Sequence, residues 1–206
     1  MQGILISKAT LGRLPIYLQY LKELSARPGT MISASSIARG LSLGDVQVRK
    51  DLAVISGTGK PRVGYELEKL ISDIEAHLGR GGLTGAVLVG AGKLGKALLD
   101  YDGFESFGVK ILAGFDCNES AIRLNGCKSI LPIKDIEKFC KDNNVKLGII
   151  TVGQGSAQDV CNKLVSSGIS AIWNFAPCSL HVPDKVILKQ ENLALSLAHL
   201  NMLISK

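Results

Sequence analysis

A strand-like run that leads into a glycine-rich turn constrains the fold of this chain more than any other feature. Residues 86–89 are apolar, and the turn that follows them is Gly90, Ala91, Gly92, Lys93, Leu94 and Gly95. In a G-x-G-x-x-G turn the first glycine allows the tight bend, the second lets backbone approach a pyrophosphate, and the third lets helix pack on strand. The helix predicted at 93–99 begins inside this turn and offers free N–H groups and a partial positive charge to the phosphates.

An acidic residue at the end of the next predicted strand specifies the nucleotide. The apolar stretch 109–115 ends at Asp116, which lies 21 residues after Gly95. A carboxylate at this position accepts hydrogen bonds from a ribose diol and repels a 2′-phosphate. The sequence therefore predicts binding of NAD(H) rather than NADP(H).

Strands and helices alternate in the rest of this region. Strands are predicted at 147–152 and 170–174, with helices at 135–142 and 156–167. This β-α-β order is typical of a mostly parallel sheet with helices on both faces. The α/β fold class predicted for the region is a Rossmann-type parallel-sheet domain, and the glycine-rich segment 79–82 is predicted as the linker that precedes it.

The positive charge of the chain is confined to its first third. Residues 1–62 carry nine basic and three acidic side chains, which accounts for the whole formal charge of +6. Charge asymmetry of this kind indicates an anionic partner for the charged part, although a solvated basic face gives the same count.

The same region has the pattern of a winged helix-turn-helix. Apolar spacing predicts a helix over 11–24, Ser33 is a good N-cap for a short helix at 34–39, and a basic helix follows at 45–54. Beyond it lies a glycine-rich hairpin tip with Lys60 and Arg62, the wing of such a domain. A small helical accessory domain with a flexible loop is the alternative.

Other features limit the remaining classes of protein. No apolar run approaches the roughly 20 residues of a membrane span, no signal peptide is visible, and the five cysteines form no C-x-x-C pair. We therefore expect a cytoplasmic protein without a metal site. The apolar stretch 190–204 predicts a final helix, which is either a core helix or a dimerisation helix.

The sequence offers a dinucleotide site but no catalytic apparatus. The three histidines are His77, His181 and His199, and no Ser-x-x-x-Lys or His–carboxylate pair accompanies them. No separate substrate domain is present either. We predict a protein that binds NAD(H) without turning it over, with no catalytic residue. An NAD-dependent oxidoreductase with an accessory N-terminal domain, and an adaptor that retains NAD for stability, are the alternatives.

Over nearly its full length the chain resembles the Rex family of redox-sensing transcriptional repressors. The resemblance is carried by R-L-P-I-Y-L at 13–18, Q-V-R-K-D-L at 47–52, V-G-Y at 63–65, the turn at 90–95, F-D at 115–116, G-I at 168–169 and N-F-A-P at 174–177. It implies a homodimer that binds a palindromic operator in double-stranded DNA, senses the NADH/NAD⁺ ratio and releases DNA when NADH binds.

The resemblance also implies domains and site residues. It divides the chain into a winged-helix domain with a connecting helix (1–80), a Rossmann domain (81–188) and a domain-swapped C-terminal dimerisation helix (189–206). The implied DNA-binding residues are Ser33, Gln47, Arg49, Lys50, Lys60 and Arg62. The loop residues 90–95 and Asp116 are implied to hold the adenosine and pyrophosphate. The residues implied on the nicotinamide side are Tyr101, Thr151, Val152, Phe175, Ala176 and Pro177.

Among the positions that depart from the family pattern, three concern the implied redox switch. Family members carry an arginine where Gln19 stands, an aspartate where Asn192 stands and an aromatic residue where Leu193 stands. The arginine and aspartate are implied to form a charge pair that distinguishes the DNA-bound state. Because an amide pair carries no charge and is weaker, we expect DNA binding with an altered redox response.

Overall fold

The computed structural model describes residues 6–24, 28–78, 83–122 and 128–204. The chain divides into two compact units, Met1–Gly82 and Leu83–Lys206. The glycine-rich segment predicted as a linker, 79–82, lies outside the described residues. Each unit has its own buried apolar core.

The first unit is mostly helical. Its elements are α1 (Lys8–Glu23), β1 (Met31–Ile32), α2 (Ala34–Gly40), α3 (Asp45–Ser56), β2 (Tyr65–Glu66) and α4 (Leu67–His77). The predicted cap of α2 is confirmed, because the Ser33 side chain accepts a hydrogen bond of 3.0 Å from the backbone N–H of Ser36. Pro15 lies inside α1. The core is built from apolar faces of all four helices, including Leu14, Leu52 and Leu70.

The hairpin predicted after α3 is a short closed turn. Backbone hydrogen bonds join Lys60 N to Gly64 O (2.8 Å) and Gly64 N to Lys60 O (2.9 Å). Arg62 lies at its tip with a φ of 63°, directly after Pro61. Proline followed by a residue with positive φ is typical of a type II turn. β1 and β2 pair in antiparallel fashion at the base of this hairpin, and both strands are too short to show in the sequence pattern.

The second unit is a six-stranded parallel sheet. Its elements are β3 (Thr84–Val89), α5 (Lys93–Leu99), β4 (Val109–Asp116), β5 (Ile130–Pro132), α6 (Ile136–Asp142), β6 (Leu147–Ile150), α7 (Gln154–Ser166), β7 (Ala171–Asn174), β8 (Ile187–Gln190) and α8 (Leu193–Ile204). The strand order is β5-β4-β3-β6-β7-β8, and every pair is parallel. This is the Rossmann order, in which ligands bind beyond the strand ends where the order reverses, here between β3 and β6.

Both faces of the sheet are apolar but they are covered differently. One face packs against α6 and α7, whose buried residues include Cys140 and Leu164. The other packs against α5 and includes Leu88 and Leu99. Ile187, the first residue of β8, is 72% exposed, so the β8 edge has no cover there from the described part of the chain.

The predicted start of the C-terminal helix is wrong by three residues. Residue 190, predicted to begin this helix, belongs to β8, which pairs with β7. The helix begins at Leu193 because Asn192 caps it, its Oδ1 accepting from the N–H groups of Ala194 and Leu195. Three of the four residues in β8 are exposed, so the strand has no hydrophobic alternation by which it could be found. β5 also escapes sequence prediction, because it has only three residues.

Candidate functional site

The glycine-rich turn between β3 and α5 is built around close backbone contacts. Gly90 has a φ of 103°, a region that L side chains rarely adopt. A Cβ on Gly95 would lie 1.9 Å from the carbonyl oxygen of Gly90, so helix and turn touch directly there. From the end of β6 the Thr151 hydroxyl donates to the Gly90 carbonyl at 2.7 Å. These contacts fix the turn in one conformation.

The middle of the turn, by contrast, is open. Gly92 is the N-cap of α5, and no heavy atom lies within 4 Å of the position where its Cβ would be. Gly92, Lys93 and Leu94 are exposed, and the first N–H groups of a helix have no intrahelical acceptor. Donors next to open space are what a pyrophosphate requires, so the predicted residues fit that part of a dinucleotide.

Asp116 lies at the end of β4 and reaches back to the turn. Its Oδ2 accepts from the backbone N–H of Ala91 at 2.7 Å, and its Oδ1 accepts from the N–H of Asn118 at 2.8 Å. The two bonds fix the orientation of the carboxylate. Each oxygen keeps a further lone pair, and Asp116 is partly exposed, so the group can still accept from the hydroxyls of a ribose.

The residues predicted on the nicotinamide side lie at two places. Thr151 and Val152 lie against Gly90 at the end of β6. Phe175 packs against Trp173 in a tilted arrangement with ring centroids 4.5 Å apart, and it lines a cavity of about 450 Å³ together with Tyr101. Ala176 is buried, whereas Pro177 is exposed.

A groove in the first unit collects four of the six predicted DNA-binding residues. Ser33 at the start of α2, Arg49 of α3, and Lys60 and Arg62 of the hairpin tip line a cavity of about 390 Å³. Arg49 is exposed, and it is held by an ion pair with Asp45 one turn earlier, at 2.5 Å. The groove therefore places basic side chains from α3 and from the hairpin side by side.

The two other predicted DNA-binding residues, Gln47 and Lys50, are exposed on an adjacent part of α3. They line a shallow depression together with Thr10 and Arg13 of α1. Val48, between them, is fully buried. The alternation shows that α3 presents a polar face to solvent while its apolar face holds it in the core.

A buried carboxylate to which sequence reasoning assigns no role anchors α3 to α1. Asp51 is 4% exposed and accepts four hydrogen bonds. Arg13 donates two, from Nε to Oδ2 (2.7 Å) and from Nη2 to Oδ1 (2.9 Å). Tyr17 donates its hydroxyl to Oδ2 (2.7 Å) and Thr10 to Oδ1 (2.9 Å). The sequence gives one hint of this network: its arginine, tyrosine and aspartate lie in the stretches 13–18 and 47–52 that carry the family resemblance.

The network shifts the ionisation of its members. Burial raises the pKa of Asp51, but the hydrogen bonds from Arg13, Tyr17 and Thr10 outweigh it and the net pKa is lowered. Burial, and then the hydrogen bond to Asp51, raise the pKa of Tyr17 to about 12. The hydrogen bond to Asp51 likewise raises the pKa of Arg13. At neutral pH the pair of Arg13 and Asp51 is therefore fully charged, and α3 is held to α1 by a bidentate bridge.

Comparison with known proteins places both units in one family. Residues 5–53 match the family model described as putative DNA-binding protein N-terminus, and residues 83–178 match the CoA binding domain. The redox-sensing transcriptional repressor Rex of Carboxydothermus hydrogenoformans is 40% identical over 199 residues, 96% of this chain and 95% of that protein. Rex of Clostridioides difficile is 38% identical over 98% of this chain and 96% of its own length. The chain belongs to the Rex family.

Solved Rex structures share the whole fold. The crystal structure of RSP in complex with β-NAD⁺ and operator DNA matches with a TM-score of 0.87 and 32% identity, over 98% of this chain and 93% of RSP. The complex of RSP, a Rex-family repressor, with β-NADH matches with a TM-score of 0.85 over 98% of this chain and 95% of RSP. The Rex relatives are transcriptional repressors, so the alternative of an oxidoreductase is not supported.

Two kinds of feature are absent from the described residues. No helix among them combines the length and hydropathy that a membrane span needs. Nor do they contain three histidine, cysteine, aspartate or glutamate side chains grouped as metal ligands.

Proposed function

We propose that this Rex-family chain is a repressor that binds operator DNA and releases it when NADH binds. The observation that carries the proposal is that one Rex-family repressor, RSP, has been solved both with β-NAD⁺ and operator DNA and with β-NADH. This chain matches RSP over 98% of its length and has a geometrically intact candidate site for each ligand. Because its DNA target lies there, we propose the cytoplasm as its location.

The first unit supplies a basic surface for the operator. Arg49 projects from α3, which corresponds to the recognition helix of a winged helix, and Lys60 and Arg62 project from the hairpin tip beside it. Lysine and arginine neutralise phosphates, and arginine can also bind the O6 and N7 atoms of guanine. The same polar face of α3 also carries Gln47 and Lys50. Ser33 lies where the N-terminus of α2 can contact a phosphate.

The second unit supplies the sensor. A bound NAD(H) provides a nicotinamide ring that is cationic when oxidised and neutral when reduced. The turn 90–95 would hold its pyrophosphate on the N-terminus of α5, and Asp116 would accept from the adenosine ribose. Thr151, Val152 and Phe175 would border the ring, so its charge and position act on the residues that directly follow β6 and β7.

Operator binding measured by fluorescence anisotropy tests this proposal. We expect NADH to release a palindromic operator selected from random DNA, and NAD⁺ at the same concentration not to release it. Replacing Lys60 and Arg62 together by alanine should weaken binding and lower the slope of log K against log salt by about 1 for each phosphate that is no longer neutralised. Lys141→Ala, an exposed lysine of α6, is the control. Absence of NADH-dependent release, or an unchanged salt slope, contradicts the proposal.

We propose further that the redox response is weaker than in relatives with the charge pair. Gln19 donates to Glu23 within α1 at 3.1 Å, and Asn192 uses its oxygen as the cap of α8. Neither side chain carries a charge, so the two cannot form an ion pair that is present in one state of the protein and broken in the other. In the same titration, Gln19→Arg combined with Asn192→Asp should increase the ratio of the operator dissociation constants measured with and without NADH. An unchanged ratio would contradict this part.

The C-terminal helix supports the proposal of a homodimer. No residue of α8 is buried, although seven of its side chains are large and apolar and are 55 to 83% exposed. The described part of the chain therefore does not use α8 as a core helix. An exposed helix this apolar requires a partner surface. A second copy of the chain can offer one, because its β8 edge is likewise uncovered at Ile187.

The oligomeric state tests the role of α8. Leu197→Glu combined with Leu200→Glu should convert a dimer into a monomer in analytical ultracentrifugation, because two carboxylates would be buried at the interface. Glutamates replacing Ser196 and Asn201, polar residues of the same helix, control for the added charge. A dimer that survives the leucine replacements would exclude α8 as the interface.

A further inference from the structure

A cluster of two amide side chains, one of them buried, joins the cofactor loop to the strand that precedes α8. Asn174, the last residue of β7, has no exposed surface. Its Oδ1 accepts from the N–H of Ala176 at 2.9 Å, and its Nδ2 donates to the Oε1 of Gln190 at 2.9 Å and to the carbonyl of Cys178 at 3.2 Å. Asn174 thus holds both the loop 175–178 and the end of β8.

Gln190 completes the cluster from the other side. As the last residue of β8 it donates from Nε2 to the carbonyls of Ala176 and Cys178, both at 3.0 Å. Its Oε1 is the acceptor for Asn174. Both ends of the Gln190 amide are therefore used, and the loop 175–178 cannot shift without moving Gln190 or breaking hydrogen bonds, one of which joins Gln190 to the buried Asn174.

A second tie lies next to the first. Trp173 Nε1 donates to the Oε1 of Glu191 at 3.3 Å, and the N–H of Glu191 donates to the carbonyl of Asn174 at 2.8 Å. The Trp173 ring also packs against the Phe175 ring in a tilted arrangement. Two successive residues of β7 thus hold the last residue of β8 and the residue after it, and Asn192, the cap of α8, follows at once.

We propose that Gln190, with Asn174, is the positioning residue that transmits the state of the cofactor loop to α8. The inference rests on the proposed function, because Phe175 and Ala176 are the residues proposed to border the nicotinamide. A displacement of that loop is passed through the amide cluster to residues 190–192 and changes the start of the helix. Gln190 does not contact the cofactor in this proposal. Its replacement should therefore leave NADH binding intact and weaken the effect of NADH on DNA binding.

The test replaces Gln190 by leucine, which keeps side-chain size and removes the amide. We expect the variant to bind NADH and, separately, operator DNA within about 3-fold of the unmodified protein. The ratio of DNA dissociation constants with and without NADH should fall at least 10-fold. Lys185→Leu, an exposed residue just before β8, is the matched control. Trp173→Phe, which removes the indole hydrogen bond to Glu191 and keeps the Gln190 amide, should give a smaller loss.

Hydrogen exchange provides a readout that does not depend on DNA. In the unmodified protein NADH should change the exchange of the Ala194 and Leu195 amides, which Asn192 caps, and in Gln190→Leu it should not. A coupling ratio equal to that of the unmodified protein, or an unchanged exchange response, overturns the inference. So does a parallel fall of both affinities and of the Tm, which would mark a purely structural role. Failure of NADH to release DNA from the unmodified protein would instead overturn the proposed function, while the exchange experiment still decides the inference.

Discussion

Replacing Gly92 with alanine is expected to abolish NADH binding and leave the fold intact. Its backbone is extended, with φ of −70° and ψ of −167°, and a Cβ would meet no protein atom within 4 Å. The methyl group would instead occupy the space in which the pyrophosphate approaches the N-terminus of α5. We expect at least about a 100-fold loss of affinity, which corresponds to about 2.7 kcal/mol, with an unchanged Tm for the protein without ligand.

Alanine variants of two other glycines serve as comparisons in this experiment. Gly95→Ala should lower both the Tm and NADH affinity, since its Cβ would collide with the carbonyl of Gly90. Gly12→Ala, in α1, also meets open space but lies in the other unit, so it should leave NADH affinity unchanged and should not lower the Tm, because alanine favours a helix more than glycine does. NADH affinity can be measured by calorimetry and the Tm by circular dichroism. Tight NADH binding by Gly92→Ala would show that the pyrophosphate does not lie on this turn.

Replacing Asp51 with alanine is expected to destabilise the first unit by about 3 kcal/mol and to remove operator binding. Loss of one partner of a buried ion pair costs about 3–5 kcal/mol, and the lower end applies because Arg13 keeps 20% of its side chain exposed to screening solvent. The variant removes the acceptor that Arg13, Tyr17 and Thr10 share, and it frees α3 from α1. For a unit of this size the Tm should fall by about 12 to 24 °C.

The chain contains a matched control on the same helix. Asp45 also pairs with an arginine, but both side chains of that pair are exposed, 40% for Asp45 and 63% for Arg49. Exposed pairs contribute about 0 to 1 kcal/mol, so Asp45→Ala should hardly change stability. Circular dichroism follows the helices of both units, whereas the fluorescence of the single tryptophan, Trp173, follows the second unit alone. Equal losses in the two aspartate variants would contradict the assigned role of Asp51.

The sequence alone predicts those features that are encoded locally. The spacing of Gly90, Gly92 and Gly95 and the position of Asp116 fix backbone geometry over a few residues, and each lies where that geometry requires it. Helices α2 and α5 are also predicted to within one residue, since a cap and a glycine turn mark their first residues. The basic character of the first unit is a property of composition and needs no coordinates.

Tertiary structure decides what depends on residues far apart in the chain. Asp51 meets Arg13 across 38 positions and Asn174 meets Gln190 across 16, and no local pattern predicts that polar groups so far apart form hydrogen bonds with each other. β8 escapes sequence prediction because parallel pairing with β7, and not its own hydrophobicity, makes it a strand. The exposure of α8 could not be read from its apolar sequence either, because a core helix and an interface helix bury the same kind of surface. Local motifs therefore identify the two ligands of this protein, whereas the contacts that hold α3 in place and link the cofactor loop to α8 exist only in the folded chain.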